Sequence, residues 1–452
     1  MSTKSIGIDL TEGPVGSRLL RFSVPFMIAN LLQTLYNMVD MVVVGHFVGA
    51  DGLSAVSTCG EIIQLYTFIA IGFGGAGQTM IGQFVGAKDR ERVNRTIGTL
   101  FSVLLLMSLC ISGFCFLTAN WQLGLVNLPA EAADSGKAYF LVCTAGMFFI
   151  FGYNLVSSIL RGMGDSKHPL IFIAVASIAN LVLDLLFVPV MKMGAMGAAL
   201  ATVLGQGISF AMALVFLYRR KDVFGFDFSP RRFIPDGKTL ATLMRLGIPM
   251  SAQGALISVS MLYVCSMLND FGVAASAANG IQLKLANISR IITSAMCTAA
   301  SAMIAQCIGA GKQERVKSVF WWNLFIAMIA GIVFGVTILL FPRQIFGLFN
   351  SEESVLAYGA IYGIFGLFDY IGNALRSPCN ALVNGVGAAL LGFTASLIDG
   401  VIARISFSVL FGNVLGMGVS GYWLGSTLAG YVTVLILAPY FLSGAWKRKK
   451  KL

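Results

Sequence analysis

The chain has 452 residues, of which 57% are apolar and only 11% charged, and its mean hydropathy is +0.83. A water-soluble domain carries about a quarter charged residues, so this composition excludes one and places most of the chain in lipid. The formal net charge of +11 does not point to nucleic acid, because the basic residues sit in short connections and in the run Trp446-Lys447-Arg448-Lys449-Lys450-Lys451, suited to anionic lipid headgroups.

In chain order, the polar start from Ser2 to Gly16 has basic residues but no short apolar core with a cleavage site, so the first apolar stretch is expected to remain as a span. Stretches of about 20 residues are long enough to cross the bilayer, and they fall at 18–45, 53–79, 95–118, 136–160, 168–190 and 195–217. The connector from Tyr218 to Lys238 holds Arg219, Arg220, Lys221, Arg231, Arg232 and two prolines, and it reads as the hinge between halves. Six further stretches follow at 243–268, 276–302, 317–341, 355–382, 388–411 and 418–441. The expected fold is an all-α polytopic membrane protein of twelve transmembrane helices. It divides into an N-terminal six-helix lobe (1–217), a cytoplasmic linker (218–239) and a C-terminal six-helix lobe with a basic tail (240–452).

Twelve spans put both ends on one side. The termini and the connections after even-numbered spans carry roughly 24 lysines and arginines, whereas the other face has only Lys137, Lys192 and Arg343. Both ends are therefore expected in the cytoplasm. The eight cysteines follow no metal or disulfide spacing and lie almost entirely in apolar runs, where they serve as small apolar fillers.

The halves repeat. The stretch Gly82-Gln83-Phe84-Val85-Gly86-Ala87-Lys88 reappears as Ala305-Gln306-Cys307-Ile308-Gly309-Ala310-Gly311, and Glu91-Arg92-Val93 as Glu314-Arg315-Val316. Arg21 and Pro25 recur as Arg245 and Pro249, Gly162 and Gly164 as Gly385 and Gly387, and Gly194 and Gly197 as Gly418 and Gly421. Six spans per half is an even number, so the halves insert in the same orientation, an arrangement typical of alternating-access transporters.

The segment Tyr36-Asn37-Met38-Val39-Asp40, followed by Val44-Gly45 and Gly49-Ala50, resembles the first span of the multidrug and toxic compound extrusion (MATE) family. The Gly86-Ala87-Lys88 loop, the Leu160-to-Ser166 turn and Gly194-Ala195-Met196-Gly197-Ala198-Ala199 are similar to that family too, and the likeness covers essentially the whole chain. It implies a cation-coupled antiporter of bacterial type, in the plasma membrane, that exports organic compounds through a cleft between two lobes.

Acidic residues inside spans are costly and default to functional candidates. Asp40, Asp184 and Glu61 lie roughly 8, 9 and 12 Å from the outer ends of their spans at about 1.5 Å per residue. Asn180 is one turn from Asp184, and Thr202 enters to about 10 Å. Five polar side chains from four spans are thus expected at one level. Carboxylates sharing a low-dielectric pocket cannot all ionise cheaply, which suits exchange of H⁺ with the outside medium. The Asn and Thr oxygens would equally suit Na⁺. The resemblance places the N-lobe cation site at Asp40, Asn180, Asp184 and Thr202; the plainer reading is that Asn180 and Thr202 merely join helices.

Glu61 has Lys284 as its counterpart in the repeat, which suggests a cross-cleft ion pair formed only in the outward-closed state; otherwise each meets a local partner or snorkels. Asp40 and Asp184 map to apolar residues near Val264 and Ala403, so the cation site is not duplicated. The C-terminal half instead carries Lys284, Arg290, Asp369, Arg376, Asp399 and Arg404 in or near its spans. Asp399 and Arg404 read more readily as an internal structural pair than as a substrate site. If the basic groups line the cleft, they weaken the default expectation of a cationic substrate and admit an anionic or zwitterionic one. Pro25 and Pro249 sit near the inner ends of matching spans, where a missing hydrogen bond makes each a hinge or a static kink.

Other classes fit less well. Ile308-Gly309-Ala310-Gly311-Lys312 hints at a phosphate loop, but Gln306 and Gln313 stand where the signature needs Gly and Ser or Thr. A membrane enzyme lacks a convergent set, since His46 and His168 lie near opposite faces. A flippase for a lipid-linked or anionic amphiphilic precursor remains the alternative, supported by the arginines of the second half. The expected partners are an amphiphilic small molecule and the bilayer, with no nucleic acid, no cofactor beyond the coupling ion H⁺ or Na⁺, no metal beyond that Na⁺, and a monomer as the working form.

Overall fold

The computed structural model describes residues 8–126, 130–224, 226–449 and 452, so residues 1–7 of the polar start and Lys450 and Lys451 of the basic run lie outside it. The described residues are helical, with no strand among them. The first half runs α1 (Val15–Phe47), α2 (Ala50–Gly86), α3 (Arg90–Leu125), α4 (Ala133–Ala145), α5 (Met147–Gly162), α6 (Lys167–Leu185) and α7 (Gly194–Arg219), then the short α8 (Lys221–Phe224). The second half runs α9 (Gly237–Asn269), α10 (Val273–Gly309), α11 (Gln313–Leu340), the short α12 (Pro342–Gly347), α13 (Glu353–Val386), α14 (Ala389–Leu397), α15 (Arg404–Val409) and α16 (Gly418–Leu442). Eleven spans come from apolar helices, counting α14, α15 and the turns around them as one; α4 and α5, bent by 45° at Gly146, make the twelfth.

The helices overrun the apolar stretches that predict them. α2 and α10 have 37 residues each, or roughly 55 Å at 1.5 Å per residue, against a hydrocarbon core of about 30 Å. Their polar ends keep helical hydrogen bonding beyond the lipid, and capping sets the next start: Asp89 accepts from the Arg92 N–H at 3.0 Å to open α3. The single span expected at 136–160 is broken. Gly146 has no side chain where Val203 of α7 packs, so α7 occupies the space a continuous, side-chain-bearing helix would need. The fifth and eleventh spans also depart from plain α-helix, with π-helical turns at Leu186–Val190, Ile398–Ala403 and Leu410–Val414. Such turns are frequent at functional sites.

The repeat extends to the backbone. Left-handed residues in the first half, at Gly49, Lys88, Gly164, Lys192 and Gly194, recur in the second at Gly272, Gly311, Gly387, Gly416 and Gly418. Each pair is separated by the same offset as the sequence motifs, so the turns between spans are built alike in both halves.

The chain forms two compact units. One comprises residues 24–251 with a short segment ending at Asp9; the other comprises 10–23 with 252–452. The divisions fall within α1 and α9, close to Pro25 and Pro249, where each helix lacks a main-chain hydrogen bond.

In the first unit the connector read as a hinge is fastened to α3. Phe233 packs edge-on against Phe101 at 5.6 Å, Ser102 donates to the Phe233 carbonyl, and the Asp236 N–H donates to Thr99 Oγ1 at 3.2 Å. Asp236 also caps α9, accepting from the Thr239 hydroxyl at 2.7 Å and the Thr239 N–H at 2.9 Å. The Thr239 hydroxyl and N–H hold its carboxyl below the usual range. A depressed carboxyl contributes stability above its unfolded pKa and loses it as pH falls through the folded one, so this cap is engaged at neutral pH. The second unit repeats the device: Arg315 of α11 donates to the carbonyls of Leu10, Glu12 and Gly13 at 3.0, 2.7 and 2.7 Å, fastening the segment before α1.

At Gly98 the Arg232 carbonyl lies where a Cβ would stand. Gly98→Val should therefore displace the connector. Overpacking of this kind costs about 1–3 kcal/mol, which as a local opening corresponds to roughly five- to 150-fold faster cleavage. Limited trypsin digestion after Arg231 and Arg232 reads the effect, and an unchanged rate would show that the docking is inconsequential.

Candidate functional site

In the first unit, Asp40 comes from α1, Asn180 and Asp184 from α6, and Thr202 from α7. The three side chains from α1 and α6 are buried, at 7%, 3% and 0% exposure, and Thr202 is half-buried. Asn180 and Asp184 share a face because they stand one turn apart. α7 is drawn against that face at Gly205, whose missing Cβ would lie 3.3 Å from the Asn180 Cβ and 3.2 Å from the Ala176 carbonyl. Asp40 and Asp184 are close enough for the charge of one to act on the other.

Among the described residues these groups lack hydrogen-bond partners. Asp40 Oδ1, both carboxylate oxygens of Asp184 and both polar atoms of the Asn180 amide are shielded and accept or donate no hydrogen bond. Buried polar groups are almost always bonded, and an isolated buried carboxylate costs several kcal/mol when ionised. Gln206 belongs with them, since its Oε1 is likewise shielded and unpartnered. The sequence signal for it was available, because Gln206 stands one turn beyond Thr202 on α7. Tyr36, one turn before Asp40, faces Gln33 and Gln206.

Glu61 is exposed on α2. Lys284 is exposed on α10.

The second unit is charged differently. Asp399, wholly buried, lies in the π-helical turn between α14 and α15. It accepts from Arg404 Nη2 at 3.0 Å and from the Thr433 hydroxyl at 2.8 Å, and Arg376 Nη2 stands 3.3 Å away. The pair expected between Asp399 and Arg404 is present, and Arg376 of α13 makes it a triad. α16 permits this by laying Gly421 and Gly425 against the backbone of Phe411 and Ser408, a close approach only small residues allow. Arg290, Asp369, Arg376 and Arg404 line a cavity of about 160 Å³, closed on another side by Tyr362 and Trp423. The two rings meet edge-on with centroids 5.3 Å apart. Neither aromatic was singled out by the sequence, where two more aromatic residues in apolar helices carry no signal.

Comparison with known proteins agrees with this architecture. The MatE family model matches residues 25–186 and again 249–410, once in each half. The chain is 30% identical over 447 residues to the probable multidrug resistance protein YpnP of Bacillus subtilis, covering 98% of each. It is 23% identical to a FAD transporter of Shewanella oneidensis, over 93% of this chain and 96% of that one. An outward-facing multidrug resistance MATE family transporter of the MOP superfamily has the same fold, with a TM-score of 0.90 over 98% of this chain and 99% of that structure at 22% identity. With its two matched halves, its twelve spans and a relative aligned almost end to end, the chain belongs to the MatE family of multi-pass membrane transporters.

Proposed function

We propose that the chain is a secondary active antiporter that exports amphiphilic organic small molecules in exchange for H⁺ or Na⁺ by alternating access. The observation that carries this reading is the set of buried, unpartnered oxygens on Asp40, Asp184, Asn180 and Gln206. A proton or a small cation supplies what those groups lack: it neutralises the carboxylates and gives their oxygens a partner. Asp40, Asn180, Asp184 and Thr202 form the coupling site. The lobes 1–217 and 240–452, joined by 218–239, are the bodies that expose it alternately. Pro25 makes α1 pliable below Asp40, so loading the site alters the helix that carries it, and Pro249 plays the same part in α9. Both termini face the cytoplasm of a bacterial inner membrane, and the monomer is the working unit. The cargo class follows the name of the Bacillus subtilis relative, a probable multidrug resistance protein.

The test is efflux of a fluorescent amphiphile from vesicles containing wild type or Asp40→Asn, under an imposed pH gradient and then a Na⁺ gradient. One gradient should drive wild-type efflux, and Asp40→Asn should reduce it to the rate of protein-free vesicles. Equal transport by the two proteins would remove Asp40 from the coupling site.

A further inference from the structure

The cavity of the second unit is lined by Arg290, Arg376 and Arg404. Asp399 stands outside that lining and is already satisfied by Arg404, Arg376 and Thr433. Arg290, on the facing helix α10, has no carboxylate at salt-bridge distance among the described residues; its partners are the neutral Asn287 Oδ1 and, at 3.8 Å, Met261 Sδ. Asp369 is the one carboxylate on the wall among the described residues, so with Asp399 two carboxylates stand against three guanidinium groups. An excess of positive charge among membrane-spanning helices is costly, and such residues mark ligand pathways.

Guanidinium groups recognise planar or tetrahedral oxyanions through directed N–H donors. Beside them, Tyr362 and Trp423 offer an edge-on aromatic corner suited to a flat ring. The volume of about 160 Å³ is close to that of a cavity able to hold one benzene ring.

We propose that this cavity is the binding site for an aromatic organic anion, with Arg290 meeting a carboxylate or phosphate group and Tyr362 and Trp423 the ring. This rests on the transport reading above for its role, since the bound molecule would be cargo, yet binding itself is measured without transport. It sets the two units apart: the first holds the coupling cation and the second the anionic end of the substrate.

The experiment is a ligand-observed NMR titration of the purified full chain in a non-ionic detergent with phenyl phosphate, benzoate, benzyl alcohol and benzylammonium. Phenyl phosphate and benzoate should bind at least about tenfold more tightly than the alcohol or the amine, a difference of ~1.4 kcal/mol. Arg290→Gln should weaken both anions by about tenfold while leaving the affinity for benzyl alcohol unchanged. Asp40→Asn should bind phenyl phosphate as wild type does, so a failure of the coupling reading and a failure of this one give different results. Equal affinities for the anions and the alcohol, or anion binding unaffected by Arg290→Gln, would overturn the proposal. So would displacement by a short-chain phosphatidate without competition from phenyl phosphate, which would assign the arginines to a lipid headgroup.

Discussion

Asp399→Asn is expected to destabilise the protein by about 3–5 kcal/mol, the usual cost of removing one partner from a buried ion pair. The carboxylate is wholly buried, and both of its oxygens are used, by Arg404 and Thr433, with Arg376 at 3.3 Å. Asparagine keeps the shape but leaves two guanidinium groups facing each other in a low-dielectric interior. Thermal unfolding in detergent should show a strongly lowered midpoint and a fall in the yield of folded protein. The double variant Asp399→Leu with Arg404→Leu should recover part of the loss, because it removes a charge of each sign. A single variant as stable as wild type would mean that Arg376 and Arg404 find their counter-charge elsewhere.

Asp184→Asn should behave in the opposite way. This side chain is as buried as Asp399, but neither of its oxygens has a partner. Asparagine is nearly isosteric and replaces a costly carboxylate with a neutral amide, so folding should change by less than about 1 kcal/mol or improve slightly. Transport should fall to background, because the group that takes up and releases the cation is gone. Unfolding midpoint and gradient-driven efflux, measured on the same preparation, separate the two cases. A variant that melts far below wild type would identify Asp184 as a structural carboxylate. One that transports normally would remove it from coupling.

These two aspartates also show how far residues can be read without their neighbours. Both stand out as carboxylates in apolar stretches, and the sequence marks each as exceptional for the same reason: lipid tolerates such groups poorly. The difference between them lies in what approaches from other helices. Arg376 of α13 and Thr433 of α16 reach Asp399 across long sequence separations, whereas among the described residues no side chain hydrogen-bonds to Asp184. Arg290 presents the same difficulty, since the absence of a carboxylate at salt-bridge distance among the described residues is a property of the space around α10. Gln206 was legible as a position one turn from Thr202, but its lack of a partner was not.

The number of spans, their order, the repeat and the family likeness were all present in the linear chain. Each follows from a local demand: apolar length to cross lipid, basic residues on one face, and paired motifs inherited by both halves. Tertiary packing decided the rest. It set the bend at Gly146 where α7 enters, the π-helical turns that carry Asp399, and the docking of the segments before α1 and α9 onto α11 and α3. It also decided which buried charges are satisfied and which stay open, because hydrogen-bond partners in a helical membrane protein come from neighbouring helices, and adjacency in space is not written in the order of residues along any one of them.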